Sequence, residues 1–243
     1  MPPNSLRSTR LARGRATSEP SNGTGEGKRG QSGAALRVAG GAAGWVETST
    51  ELPPVYEHLF QTPFGWVGCA GTERGLVAVT LGETSRPEAS AALACERHEL
   101  GLDEGKVESN LARLPGWFRA AVATLKQYAD EGSVDLAAIP VDYQTGTALQ
   151  RKIWNATRTI PPGETLSYKQ LAERVGLPRG ARPVGQAMAR NRLLLVIPCH
   201  RVISSSGALT GYSNPVGLPL KERLLAHEAQ ADASQKSKGK SQK

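Results

Sequence analysis

Five consecutive aliphatic residues, Leu193-Leu194-Leu195-Val196-Ile197, run straight into Pro198-Cys199-His200-Arg201-Val202. A run with neither a helical nor an alternating polar face has to be buried on all sides, and its composition fits a buried strand. The chain must therefore build a core around these residues and bring Cys199 to the place where that core meets a site. A lone cysteine in such a position is most often a small structural hydrophobe. The adjacent His200 argues otherwise, because a nearby imidazole can lower a thiol pKa and generate the nucleophilic thiolate. Cys69 and Cys95 have no such neighbour and read as structural.

Upstream, Ser167-Tyr168-Lys169-Gln170 has the S-x-x-Q form of a capping box, in which hydroxyl and amide satisfy the helix-end donors. The spacing predicts a short helix with Leu171, Ala172 and Val175 on one apolar face, ending at Gly176. After Leu177-Pro178-Arg179-Gly180, Pro183 suits the first position of a second helix, with Val184, Ala187 and Met188 inward. Two short helices joined by a Gly/Pro turn form a helix-turn-helix pattern, although a helical hairpin in an ordinary core reads the same way. A further helix precedes them, with Leu149, Ile153 and Trp154 on one face up to the break at Pro161-Pro162-Gly163.

Towards the amino terminus, Tyr56–Phe60 and Gly75–Leu81 have strand composition, separated by turns around Gly65, Gly68 and Gly71. Trp117 to Tyr128 is helical, with Phe118, Ala121, Val122 and Leu125 placed to cover one sheet face. The fold class expected is α+β: a small antiparallel sheet with its covering helix, then a mainly helical domain. The boundaries read as a disordered basic tail over 1–54, a sheet domain over 55–140, a second domain over 147–228, and a disordered Lys-rich tail over 229–243.

Charge is distributed unevenly. Val55–Pro140 carries 12 acidic and 7 basic residues, whereas Arg151–Arg223 carries 3 acidic and 12 basic. The basic half is the part suited to a polyanion, though a merely solvated face has the same composition. Three scattered cysteines and four histidines indicate neither a disulfide framework nor a metal cage, so no metal is expected. No apolar run suits a membrane span and no apolar secretory centre is present, so an intracellular, reduced setting is expected. That means the cytoplasm in a bacterium, or the nucleus or an organelle in a eukaryote.

Ile197-Pro198-Cys199-His200-Arg201-Val202, followed by Ser205-Ser206-Gly207 and Gly211-Tyr212-Ser213, resembles the O6-alkylguanine-DNA alkyltransferases. The resemblance runs from Leu149 to Glu228, through Ser167-Tyr168, Ala181-Arg182, Gly185 and Asn191, to the closing Lys221–Glu228 run. The amino-terminal sheet agrees more loosely.

The resemblance implies direct DNA repair. O6-alkylguanine is flipped out of duplex DNA and its alkyl group passes irreversibly to Cys199, one turnover per molecule, with O4-alkylthymine a second substrate to test. It implies that His200 deprotonates Cys199 through a water molecule and that Glu228 orients the histidine. Tyr168 would help extrude the nucleotide and donate a hydrogen bond to the leaving guanine. Asn191 would tie the recognition helix to the site. Arg182 would fill the gap in the DNA stack, with Ala181 and Gly185 on the same DNA-facing helix. Met188, Val202 and Ser213 would wall the pocket. No cofactor is implied, and a monomer is expected to act on double-stranded DNA.

One departure stands out: where the family carries a Gly-Gly pair soon after the tyrosine, this chain has the longer Ser213-Asn214-Pro215-Val216-Gly217. Two other readings use the same residues. A cysteine hydrolase would employ Cys199, His200 and Glu228 but needs an oxyanion hole, for which the sequence offers no donor set. A helix-turn-helix regulator would leave Cys199 in its core.

Overall fold

The computed structural model describes residues 54–240 apart from 104, 213 and 215. Most of the amino-terminal tail read from the sequence, like Ser213, lies outside the described residues.

Three strands are joined by tight hairpins: β1 (Val55–Thr62), β2 (Gly65–Thr72) and β3 (Gly75–Glu83). At the first turn, Thr62 Oγ1 donates to the Gly65 carbonyl at 2.7 Å and accepts from Phe64 N–H at 3.2 Å. A short β4 (Val107–Glu108) pairs parallel with β1, giving the order β3-β2-β1-β4. Of the turns expected around Gly65, Gly68 and Gly71, the first forms at Pro63–Phe64 and is closed by Gly65, whereas Gly68 and Gly71 lie inside strand β2. Close packing explains the third: a Cβ on Gly71 would lie 3.0 Å from the rings of Phe118 and Trp117.

Helix α1 (Arg86–Glu99), capped by Ser85, covers one sheet face, where Leu93 meets Ala70, Val77 and Ala78. Sequence reading missed this helix, because only Ala89 and Leu93 of it are buried and its apolar period is weak. Helix α2 (Gly116–Glu131) covers the other face with Phe118, Ala121, Val122, Leu125 and Tyr128. It stops at Gly132, whose left-handed backbone (φ 73°) leaves a Cβ only 2.9 Å from His227.

The remaining helices are α3 (Ala148–Arg158), α4 (Tyr168–Arg174), α5 (Ala181–Ala189) and α6 (Leu218–Lys240). In α3, Ile153 and Trp154 are buried as expected, but Leu149 is 39% exposed. It occupies the first turn, beyond the edge of the core. The Ser167/Gln170 capping box forms at the start of α4, and a Thr147/Gln150 box does the same for α3. Helix α5 starts after Gly180, so Pro183 is its third residue rather than its first, a position whose N–H still has no intrahelical acceptor. Leu171, Ala172 and Val175 pack with Val184, Ala187 and Met188, and Trp154 Nε1 donates to the Ala187 carbonyl at 2.9 Å.

The five-residue aliphatic run is buried throughout, yet it is not a strand. Leu193 makes one bridge to Val79 of β3, then the chain turns, with Leu195 in the left-handed region at φ 68°. Burial requires only that every side chain find apolar neighbours, and a compact turn against the β3 edge does this as well as an extended segment. The bridge also occupies part of an edge that would otherwise present unpaired backbone.

Helix α6 continues to Lys240, where a disordered tail was expected from Ala229. Ala, Gln and Lys are good helix formers, and Lys236 pairs with Asp232 one turn earlier at 2.5 Å. Phe60, Leu76 and Phe118 share one apolar cluster with Ile153, Val184, Ile197 and Leu224. The segments read as two domains therefore have a common core.

Candidate active site

Pro198 carries φ −76° and ψ 66°, and Cys199 N–H donates to the Ile197 carbonyl at 2.7 Å, which is an inverse γ-turn whose φ the proline ring presets. A single turn of 3-10 helix over Cys199–Arg201 follows. This reversal, just after the left-handed Leu195, directs the Cys199 and His200 side chains to different surroundings. Leu195 stores backbone strain of order 1–3 kcal/mol, held by the packing around it.

Cys199 lines a cleft of about 350 Å³, together with Tyr168, Gly185, Met188, Ala189, Gly211 and Tyr212. Asn191 Nδ2 donates to the sulfur at 3.2 Å and to the Ile197 carbonyl at 2.9 Å, while its Oδ1 accepts from Leu193 N–H at 2.9 Å. A residue at the end of α5 thus fixes both the turn and the thiol. Burial pushes the Cys199 thiol up, against the opposing effects of the Asn191 hydrogen bond and the Lys221 charge. The expectation that His200 lowers the resting thiol pKa is therefore not met: the resting group is a thiol, and its proton must be removed during the reaction.

His200 is fully buried. Its Nε2 lies 2.9 Å from Glu228 Oε1, which assigns the proton to Nε2 and leaves Nδ1 as the acceptor nitrogen. Nδ1 has no hydrogen-bond partner among the described residues, and no direct hydrogen bond joins His200 to the sulfur there. Burial lowers the His200 pKa, partly countered by Glu228, so the imidazole is held neutral. For Glu228, burial alone would raise the carboxyl, but hydrogen bonds and charge from His200 and Arg201 outweigh it and hold it well below the usual carboxylate range.

Sequence reasoning named no role for four further groups. Arg201, only 2% exposed, donates from Nη2 to Glu228 Oε1 at 2.7 Å and from Nη1 to the Ile160 carbonyl at 2.5 Å. Tyr128 donates to Glu228 Oε1 at 2.6 Å. Lys221 is fully buried, with Nζ donating to the carbonyls of Val202 at 2.6 Å and Thr210 at 3.1 Å. Tyr212 lines the cleft, and its buried hydroxyl lacks a partner among the described residues. Arg201, Tyr212 and Lys221 lay within the quoted motifs, and Tyr128 extends the apolar face of α2 by one helical step from Leu125.

Of the other residues singled out, Tyr168 opens α4 and accepts from Thr210 Oγ1 at 3.3 Å across the cleft. Met188 and Gly185 line the cleft, whereas Val202 is fully buried and does not. Arg182 and Ala181 are exposed at the start of α5, apart from the thiol. Among the described residues no group of His, Cys, Asp or Glu side chains could hold a metal ion.

A buried thiol opening into a cleft, with a neutral imidazole on a carboxylate behind it, defines a cysteine-centred group-transfer site on a 3-10 turn beside the α4–α5 helix pair. The family model described as "6-O-methylguanine DNA methyltransferase, DNA binding domain" matches residues 148–230. A methylated-DNA–protein-cysteine methyltransferase of Methanosarcina acetivorans is 34% identical over 176 residues, covering 72% of this chain and 98% of that one. The bifunctional transcriptional activator/DNA repair enzyme Ada of Escherichia coli is 37% identical over 161 residues, 66% of this chain but only 42% of its own length. A Mycobacterium tuberculosis OGT crystallised in complex with DNA superposes with a TM-score of 0.56 at 32% identity, covering 72% of this chain and 94% of that one. The chain belongs to the methylated-DNA–protein-cysteine methyltransferase family.

Proposed function

We propose that this protein repairs O6-alkylguanine in duplex DNA by moving the alkyl group to its own Cys199. The observation that carries the reading is the placement of the Cys199 sulfur in an open cleft beside Tyr168 and Met188, with Asn191 on the sulfur and the His200–Glu228 pair behind it. Guanine O6 is out of reach in stacked DNA, so the nucleotide must be flipped, at a cost of a few kcal/mol. In this reading exposed Arg182 fills the vacated stack and Tyr168 meets the extruded base. Exposed Lys169, Arg174, Arg179 and Arg190 supply phosphate contacts.

His200 Nδ1 takes the Cys199 proton through one water, and the resulting imidazolium is stabilised by Glu228. Lys221, whose charge pulls the thiol pKa down, supports the thiolate as it forms. The sulfur attacks the alkyl carbon. An S–C bond forms, the C–O6 bond breaks, and its electron pair leaves on guanine, which accepts a hydrogen bond from the Tyr168 hydroxyl and takes up a proton from water, balanced by the proton that the His200 imidazolium then releases. The thioether has no leaving group for water to displace, so each molecule acts once. One chain supplies every group named, so a monomer suffices. No helix among the described residues is long and apolar enough to cross a membrane, and the substrate places the work inside a cell, in any compartment holding DNA.

The test mixes the protein with excess duplex containing O6-methylguanine and follows lesion loss together with intact protein mass. One methylene equivalent on the Cys199 peptide, absent in Cys199→Ala, is expected. Multiple turnovers, or modification at Cys69 or Cys95, would overturn the reading.

A further inference from the structure

We infer that Tyr128, on helix α2 of the amino-terminal half, is a positioning residue that sets the basicity of His200 through Glu228; the inference rests on the alkyl-transfer reading above. Tyr128 is fully buried, and its hydroxyl is 2.6 Å from Glu228 Oε1 and 3.3 Å from His200 Nε2. That single carboxylate oxygen also accepts from His200 Nε2 at 2.9 Å and from Arg201 Nη2 at 2.7 Å. Three residues therefore share one oxygen, Arg201 also through Nε at 3.1 Å, and only one of them is the base that must take the thiol proton.

Helix α6 holds Tyr128 from both ends. Glu228 receives its hydroxyl, and the neighbouring His227 places Nε2 3.2 Å from the Tyr128 carbonyl, with the two rings edge-on at 6.3 Å. Such a clasp keeps the phenol on the carboxylate and denies it to water. Each hydrogen bond donated to a carboxylate disperses its charge, leaving less to stabilise a proton on a neighbouring donor. The Tyr128 hydroxyl therefore weakens the hold of Glu228 on an imidazolium, and keeps His200 neutral and ready to accept. The other groups facing His200 are Arg201 on its own turn and Lys221 on α6, both cations, which act in the same direction, and the Cys199 thiol.

Removing the hydroxyl should raise the His200 pKa, so the fraction in the neutral, accepting form falls on the acid side. The experiment measures the single-turnover rate of transfer from O6-methylguanine duplex against pH, for the full chain and for Tyr128→Phe, with alkylation of Cys199 read by mass. The expected result is an acid limb displaced to higher pH by about half a unit, roughly threefold in the proton equilibrium, with the high-pH plateau kept. Placing 3-fluorotyrosine at position 128 makes the phenol a stronger donor and should move the limb the other way. This arm also serves if the phenylalanine variant is poorly folded, since it keeps the hydroxyl and the packing. Profiles that superimpose after scaling, or that shift in the same direction for both changes, would sink the inference while leaving transfer to Cys199 intact. Absence of alkylated Cys199 in the unaltered chain would instead sink the functional reading beneath it.

Discussion

Glu228→Gln removes one negative charge from a site 1% exposed and leaves the Arg201 guanidinium, itself 2% exposed, without its ion-pair partner. Four donors converge on the carboxylate: Tyr128, His200, Arg201 and the Gly163 amide, the last at 3.1 Å from Oε2. A buried cation stripped of its counter-charge costs about 3–5 kcal/mol, because desolvation of the survivor is no longer offset. At roughly 2–4 °C per kcal/mol for a domain of this size, the melting temperature should fall by about 6–20 °C. Arg201→Met combined with Glu228→Gln should lose less than the sum of the single changes, since the second change removes the stranded charge. The carboxyl is held low in the folded state and is ordinary when unfolded. Its stabilisation is therefore complete above the unfolded value near pH 4.3 and is lost as pH falls towards the folded one, so the wild type should lose stability on acidification and the variant should lose less. Thermal unfolding of the four proteins between pH 3 and 7 measures all of this. A strictly additive double variant, or a Glu228→Gln protein within about 1 kcal/mol of wild type at neutral pH, would refute the view that charge pairing governs this cluster.

Gly132→Ala should destabilise by about 1–2 kcal/mol from the left-handed backbone alone, and by more because the new Cβ meets His227 at 2.9 Å. Gly101→Ala, with a similar φ of 67° but open space around it, isolates the conformational part in a denaturant titration. Arg182→Ala should slow repair in duplex DNA by about tenfold or more while leaving transfer from the free alkylated base near wild type, since the side chain acts on extrusion. Parallel rate measurements on the two substrates check this, and equal losses would assign Arg182 to folding or chemistry instead.

Features that depend on a few neighbouring residues could be read directly from the chain. The Ser167/Gln170 box, the buried faces of α4 and α5, and the special position of Cys199 beside His200 all depend on residues within a turn or two of each other. Where path rather than burial was at stake, composition was silent: five aliphatic residues demand a dry environment but do not say that Leu195 turns left-handed to reach it. The same limit applies to β2, whose glycines suggest turns until the rings of Trp117 and Phe118, more than 40 positions away in the chain, are packed against Gly71.

The electrostatic centre was the least legible part, for a reason that bears on how such sites work. Glu228 meets Arg201 across 27 positions and Tyr128 across 100, and no local pattern marks a residue whose role is to hold a charge contributed by a distant helix. The family resemblance supplied His200 and Glu228 as a pair, but a buried pair by itself leaves the carboxylate under-solvated and the imidazole too strongly held. Arg201 compensates the charge, Tyr128 shares the oxygen, and Gly163 N–H takes the second oxygen from the Pro161-Pro162-Gly163 break. Of these donors only Tyr128 comes from the amino-terminal half, and it ties α2 to the carboxylate that α6 presents. Burial is the larger influence holding His200 neutral, and the Arg201 charge acts in the same direction, so the histidine behind Cys199 meets the thiol ready to accept its proton.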